Sequence, residues 1–177
     1  MHPAPATTIV GAGIAGLTTA LAMARHGVST RIYERASEFH EIGAGLQLSP
    51  NATRLLARLG VLDALEATAV CPQAVVLKKA KTLSPLAQIP LGAAAEMRWG
   101  APYLVAHRAD LQKALLERAQ REPLIEIVAG ALVESAAFDE GSGVRFRLVR
   151  DGRREDVRTR LLIAADGVWS HLRHHVR

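Results

Sequence analysis

One cysteine, Cys71, stands in the 177 residues. It has no partner for a disulfide within the chain and no neighbouring thiol for a metal site, so a disulfide scaffold is excluded and a reducing cytoplasm is the expected home. Aromatics make up only 4% of the sequence. No set of stacking aromatics accompanies its arginines, as a reader of single-stranded nucleic acid would require, so no nucleic-acid partner is expected. A long apolar run is missing too. Residues 9–24 come nearest, but they follow no basic leader, hold three glycines and end at Arg25-His26. That is short of the roughly 20 residues of a membrane helix, and neither a signal peptide nor a membrane span is expected.

What remains is 49% hydrophobic and 22% charged, a balance that excludes disorder and suffices for a buried core. The net charge of +5 is concentrated in residues 144–160, where seven arginines face only Asp151, Glu155 and Asp156. Alternation of Val144, Phe146 and Leu148 with Arg145 and Arg147, ending at Asp151-Gly152, predicts a hairpin with a solvated basic face.

Periodicity gives the rest of the organisation. A short strand at 8–10 runs into a helix with Ile14, Leu17, Thr18 and Leu21 on one face, Gly27 closes that helix, and a second strand runs over 29–33. Together they predict a β-α-β unit and the start of a parallel sheet. Ser49-Pro50 opens a helix lined by Leu55, Leu56 and Leu59, and a second short helix is expected at 63–68. Residues 72–102 show strand candidates at 75–79 and 87–89 with little helical periodicity. His107-Arg108-Ala109-Asp110 opens a helix carrying Leu111, Ala114, Leu115 and Ala119 on one side. Strands are expected at 125–128 and 132–136, and the apolar run 161–165 reads as a buried parallel strand.

Gly11-Ala-Gly13-Ile-Ala-Gly16 is G-x-G-x-x-G between a strand and a helix, the context in which it binds a dinucleotide. Its glycines allow a tight turn, close approach of a pyrophosphate to the backbone, and close helix–strand packing. Helix amides and the helix dipole then hold the phosphates. Glu34 follows Gly16 by 18 residues, at the end of the second strand, where a carboxylate accepts ribose hydroxyls and repels a 2′-phosphate. The pattern predicts FAD or NAD, against the alternative of a glycine turn with no ligand.

Three further stretches join this motif: Gly43-Ala-Gly-Leu-Gln-Leu-Ser-Pro-Asn-Ala52, His107-Arg-Ala-Asp-Leu111 and Leu162-Ile-Ala-Ala-Asp-Gly-Val-Trp-Ser170. In this order the four resemble the single-component FAD-dependent aromatic hydroxylases, most nearly the salicylate hydroxylase and 3-hydroxybenzoate 6-hydroxylase branch. The resemblance implies an α/β, Rossmann-like FAD-binding domain: a parallel sheet with helices plus a β-hairpin or meander, built from residues 1–70 and 103–177. Residues 71–102 would begin a second, substrate-domain sheet. Glu34 would hold the adenosine ribose, with Arg35 beside it among the cofactor-binding candidates, and the backbone near Val133 would pass the adenine. Arg108 would reach the pyrophosphate or ribityl chain. Gln47 would sit beside the isoalloxazine ring, where Gly43 and Gly45 permit close approach. Asp166-Gly167 matches a motif linked in the family to both FAD and the reduced nicotinamide, although Ala164 replaces the usual glycine.

The implied reaction is reduction of FAD by NADH or NADPH, activation of O₂, and transfer of one oxygen atom to a phenolic or aromatic acid such as salicylate. No catalytic residue is assigned, because the family's phenol contacts lie largely beyond the motifs present. Members are about twice this long, and the later Gly-Asp motif is not in the sequence. The chain therefore reads as a front half, weakly active or inactive alone, whose partner is the missing C-terminal half. The alternative is a non-catalytic FAD-binding module or remnant. An NAD-linked dehydrogenase has less support, for want of a tyrosine-lysine pair. Plainer roles compete at single positions: Arg108 as a solvated first-turn residue, Gln47 as a loop amide, Asp166 as an N-cap before Val168-Trp169, and Tyr103 in core packing in place of a substrate edge. His171, His174 and His175 have metal-like spacing but no second cluster, so no metal is expected.

Overall fold

The computed structural model describes residues 7–39, 44–139, 141 and 143–175. In chain order the elements are β1 (Thr7–Val10), α1 (Ile14–Ala24), β2 (Thr30–Tyr33), β3 (Gly45–Leu48), α2 (Pro50–Arg58), α3 (Leu62–Glu66), β4 (Ala74–Lys78), β5 (Pro85–Pro90), α4 (Ala93–Trp99), β6 (Leu104–His107), α5 (Arg108–Gln120), β7 (Ile125–Val128), β8 (Ala131–Asp139), β9 (Gly143–Arg150), β10 (Arg153–Thr159) and β11 (Leu161–Ala164), followed by a 3-10 turn, Leu172–His175. They form two compact units, residues 1–40 with 115–177, and residues 41–114. Among the described residues no helix is long and apolar enough to cross a membrane.

The first unit holds a four-stranded parallel sheet in the order β11-β1-β2-β7. The β1-α1-β2 unit is there as the glycine motif and periodicity predict. Ile9, Ile32, Leu17 and Ala20 are fully buried in it, whereas Ile14 and Thr18 are only partly covered. The buried stripe of α1 thus runs through Gly16 and Ala20, small residues that let helix and sheet approach.

An antiparallel meander, β10-β9-β8, completes this unit. The alternation read from the sequence places Val144, Phe146 and Leu148 inward, where Phe146 meets the Tyr33 ring edge-on at 5.6 Å. Val10, Val133 and Leu172 close the same cluster. Asp151 (φ 50°) and Gly152 (φ 71°) make the two-residue turn. On the solvated face Arg147 pairs with Asp156 at 3.0 Å and Arg154 with Glu134 at 3.1 Å. These pairs agree with a solvated face for the basic run.

The strand at 161–164 differs from the buried one expected. It lies at one edge of the sheet, and Leu161 is 46% exposed. An apolar run signals a strand that needs cover on both faces, and among the described residues β11 has a partner strand on one side only.

In the second unit β3 pairs with β6 and β4 with β5, both antiparallel. Three expectations need correction here. The strand β6 precedes α5, and His107 closes that strand instead of opening the helix. A helix, α4, stands where none was read. Its alanines favour helix, but Met97 is 87% exposed, which erases the periodicity by which helices are recognised. In α2 the buried residues are Pro50, Thr53 and Leu56, while Leu55 is 54% exposed. Thr53 takes the inward place because its hydroxyl donates to the Pro102 carbonyl at 2.7 Å. The expected excursion, 71–102, occupies the middle of this unit.

Candidate cofactor site

The carboxyl ends of β1, β2 and β11 converge in the first unit. Gly11 N–H donates to the Tyr33 carbonyl at 2.8 Å and Ala165 N–H to the Val10 carbonyl at 2.8 Å, so the exits of three parallel strands are tied together. Crevices at the carboxyl ends of such strands are where α/β sheets bind ligands. Gly11 turns with φ +100°, and a Cβ there would stand 2.4 Å from the Ala165 carbonyl oxygen. The glycine loop and Asp166 are therefore neighbours. At Gly16 a Cβ would fall 1.9 Å from the Gly11 oxygen, so only glycine lets α1 approach the turn.

Gly13 is different. A Cβ there would meet nothing within 4 Å. Gly13 is the N-cap of α1, without a side chain to cap the helix, and no acidic residue occupies the first turn. Open space in front of an uncapped helix N-terminus fits a phosphate group.

Glu34 follows β2 directly. Its Oε2 accepts the Ala12 N–H at 2.7 Å and its Oε1 the Ala36 N–H at 2.9 Å. Its own backbone is bonded to both neighbours, Glu34 N–H to the Val128 carbonyl and Ala131 N–H to the Glu34 carbonyl. The carboxylate is thus fixed against the glycine loop. An ionised carboxylate offers about four acceptor sites, so two stay available for a diol such as ribose. Sequence reasoning found Glu34 but missed its bond to Ala12, since a backbone donor leaves no mark in the side-chain pattern.

The other candidates fall as follows. Arg35 is exposed next to Glu34. The Val133 side chain is buried in the core, and the β8–β9 register shifts between Val133 and Ser135. Asp166 is partly buried, with Oδ2 3.5 Å from Leu172 N–H, and Gly167 adopts φ +86°. Val168-Trp169 are not helical, and the amide that Asp166 meets, Leu172 N–H, opens the 3-10 turn instead.

Gln47 lies on the β3–β6 ladder of the second unit, and Arg108 follows that ladder directly. Gln47 pairs with Val105, and Arg108, the first residue of α5, donates its backbone N–H to the Ala44 carbonyl at 3.4 Å. Tyr103 is only partly buried, which corrects its expected place in core packing: its hydroxyl donates to Gln47 Oε1 at 2.7 Å. This bond orients the Gln47 amide, and a pairing across two strands was not visible in sequence. Gly43 lies outside the described residues. Among the described residues no cluster of His, Cys, Asp or Glu is arranged to hold a metal.

Comparison with known proteins agrees with this geometry. The chain is 38% identical over 170 residues to the 3-amino-4-hydroxybenzoate 2-monooxygenase PtnB3 of Streptomyces platensis, covering 96% of this chain and 41% of that protein. It is 38% identical over 165 residues to the 3-hydroxybenzoate 6-hydroxylase of Polaromonas naphthalenivorans (strain CJ2), covering 93% and 40%. The structure of 2-methyl-3-hydroxypyridine-5-carboxylic acid oxygenase superimposes with a TM-score of 0.77 at 28% identity, covering 97% of this chain and 42% of that one. The chain spans about two fifths of the length of the curated relatives it matches, in their N-terminal part. The family described as FAD binding domain matches residues 5–177, and with the glycine turn, the open helix N-terminus and Glu34 in place the chain belongs to that family.

Proposed function

We propose that this chain is the FAD-holding front part of an NAD(P)H-dependent aromatic monooxygenase acting on a phenolic or aromatic acid. The observation that carries the reading is the convergence of Gly11, Gly13, Glu34 and Asp166 at the ends of three parallel strands. It is joined by relatives named as hydroxylases of hydroxybenzoates. FAD, when bound, supplies the redox chemistry by which a nicotinamide is oxidised and O₂ is activated. The chain's own part is binding and orientation. Amides at the start of α1 hold the pyrophosphate across the space left by Gly13, and Glu34 accepts the ribose hydroxyls and turns away a 2′-phosphate. Asp166-Gly167 borders the cofactor, Arg35 and the backbone at Val133 flank the adenosine, and Arg108 takes the pyrophosphate or ribityl chain. Gln47, its oxygen engaged by Tyr103, offers its NH₂ to the flavin ring.

Within this reading residues 71–102 belong to the substrate domain, the aromatic acid is held mainly by the remaining length of the protein, and the exposed thiol of Cys71 suits a reducing cytoplasm. Coverage of two fifths favours binding without turnover for these 177 residues alone.

The test is an absorbance spectrum of the purified chain after incubation with FAD and removal of excess. Retained flavin is expected, and Glu34→Ala is expected to weaken its binding at least tenfold while costing the folded chain about 2 kcal/mol through its two lost charge-assisted hydrogen bonds. A folded chain that retains no flavin overturns the binding role. Steady hydroxylation of a hydroxybenzoate by the chain alone overturns the division of labour.

A further inference from the structure

We propose that the tip of the β4–β5 hairpin, residues 77–86, docks on an anionic lipid surface, its leucines entering the interface and its lysines meeting the headgroups. The inference concerns one element of the second unit and does not rest on the cofactor reading.

The charge at this tip is of one sign. Of the chain's four lysines, three stand within residues 78–81, as Lys78, Lys79 and Lys81, and no Asp or Glu occurs between Glu66 and Glu96. Among the described residues no ion pair engages any of the three. The arginines of β9 and β10 are the contrast, since Arg147, Arg150 and Arg154 each have a carboxylate partner. The basic face of the meander is thus partly neutralised within the fold, whereas the hairpin tip leaves its positive charge uncompensated.

The leucines among these lysines are uncovered. Leu77 and Leu86 are exposed where the strands end, and Leu83 in the turn is 67% exposed. The turn itself is built. Lys79 N–H donates to the Ser84 carbonyl and Leu83 N–H to the Lys79 carbonyl, both at 2.9 Å, and the Thr82 and Ser84 hydroxyls lie 2.8 Å apart. This closure holds Leu83 at φ 55°, a conformation in which glycine or asparagine is the ordinary occupant and leucine is strained. A strained side chain that the fold does not bury points to a use outside the fold. Exposed apolar residues interleaved with lysine, with no acidic residue among them, suit the interface of an anionic bilayer. Lysine stems lie along the apolar layer while their ammonium groups reach the headgroups. Each lysine near such a surface strengthens binding about fivefold, so three together supply about a hundredfold. A partner strand would answer the apolar faces of β4 and β5, but not a cluster of cations and a strained leucine at their tip.

The experiment sediments the purified 177-residue chain with vesicles of phosphatidylcholine alone and of phosphatidylcholine mixed with phosphatidylserine. Binding to the anionic vesicles should exceed that to the neutral ones at least tenfold, and should fall as salt shortens the Debye length from about 10 Å at 0.1 M to about 3 Å at 1 M. Replacing Lys78, Lys79 and Lys81 together by glutamine should cut binding at least tenfold, with the wild-type circular dichroism kept at these exposed positions. Leu83→Asn should cut it at least threefold while leaving Tm equal to or above that of the wild type, because asparagine tolerates the φ of the turn. Arg150→Gln with Arg153→Gln, at the other basic turn, should leave binding unchanged. With the C-terminal three fifths of the Polaromonas 3-hydroxybenzoate 6-hydroxylase joined after Arg177, binding should persist. Equal binding to the two kinds of vesicle, no binding to either, or unchanged binding by the lysine variant would each overturn the proposal. So would a loss in the arginine variant as large as in the lysine one, loss of binding in the joined polypeptide, or a homodimer of the chain that Leu83→Asn dissolves. Flavin retention is read on the same samples and should be equal in wild type and lysine variant, so the docking and the cofactor reading fail separately.

Discussion

Gly13 and Gly16 belong to one motif, and the geometry requires that alanine act differently at each. At Gly16 the added Cβ would lie 1.9 Å from the Gly11 oxygen and 3.1 Å from its carbonyl carbon. Separation to normal contact requires a movement of about 1.5 Å. Gly11 has nowhere to go, because its N–H is bonded to Tyr33 and the Ala165 carbonyl borders its other side. Overpacking of this kind costs about 1–3 kcal/mol, and loss of the Gly11 bond about 1 more. Alanine returns about 1 kcal/mol of helix propensity. The net expectation for Gly16→Ala is a loss of about 2 kcal/mol, or a fall in Tm of about 4–8 °C at this chain length. At Gly13 nothing stands within 4 Å, and φ −75° with ψ −177° suits alanine. Gly13→Ala should leave Tm within about 2 °C, because the roughly 0.5–1 kcal/mol lost at the N-cap is offset by the about 0.4–1 kcal/mol that alanine saves in the unfolded chain. Its methyl group would instead occupy the space assigned to the pyrophosphate, and FAD affinity should fall at least tenfold. Thermal and urea unfolding followed by circular dichroism, with FAD titration by flavin fluorescence, separates the two. A Gly16→Ala chain as stable as wild type, or a Gly13→Ala chain that binds FAD normally, would refute the assignment of one glycine to packing and the other to the ligand.

Phe146→Ala should cost about 3–5 kcal/mol in urea unfolding, because the ring is buried against Tyr33, whereas Phe138→Ala on the same meander should change stability by less than about 0.5 kcal/mol. The hydrogen bond from Arg147 holds the Asp156 carboxyl below its ordinary 3.8, and that from Arg154 holds Glu134 below its ordinary 4.5. Folded values below the unfolded ones mean that this contribution is fully present above the ordinary carboxyl range and is lost as pH falls through the lowered values. Carboxyl-detected NMR titration should show Asp156 moving upward in Arg147→Gln, and an unmoved Asp156 would discount the pair. Tyr103→Phe should leave stability within about 0.5 kcal/mol, since the bond to Gln47 is exposed, yet shift the visible spectrum of bound FAD. An identical flavin spectrum would place Gln47 away from the ring.

What was legible in sequence, and what was not, follows from where each signal originates. The site in the first unit depends on backbone conformation, and backbone demands leave residues that nothing else explains: a glycine where φ is +100°, another where a Cβ would strike a carbonyl, a carboxylate at the end of β2. The meander was legible because alternation at Val144, Phe146 and Leu148 reports burial residue by residue. Helix α4 was not, because Met97 and Trp99 take no part in a buried stripe. The burial of Thr53 in place of Leu55 was not legible for a related reason, as it depends on one hydrogen bond to Pro102, 49 residues away. At β11 the composition signalled a parallel strand but not its place at the edge of the sheet, where Leu161 is exposed.

The glycine loop and the β4–β5 hairpin differ in how far they are finished. Around the glycine loop, the cradle for a dinucleotide stands on a buried cluster of Val10, Tyr33, Val133, Phe146, Leu148 and Leu172, and Glu34 already holds Ala12 in place. A ligand that meets a fixed loop spends little of its binding energy on ordering it. The hairpin of β4 and β5 is the opposite case. Val75, Leu77, Leu86 and Ile89 are all exposed on it, and a two-stranded hairpin without a covered face is marginal in water. Under the proposed function, FAD is held at the glycine loop, whereas the aromatic acid is held mainly by the remaining length of the protein. Binding of FAD and turnover should accordingly be separable in this chain, the first surviving where the second fails.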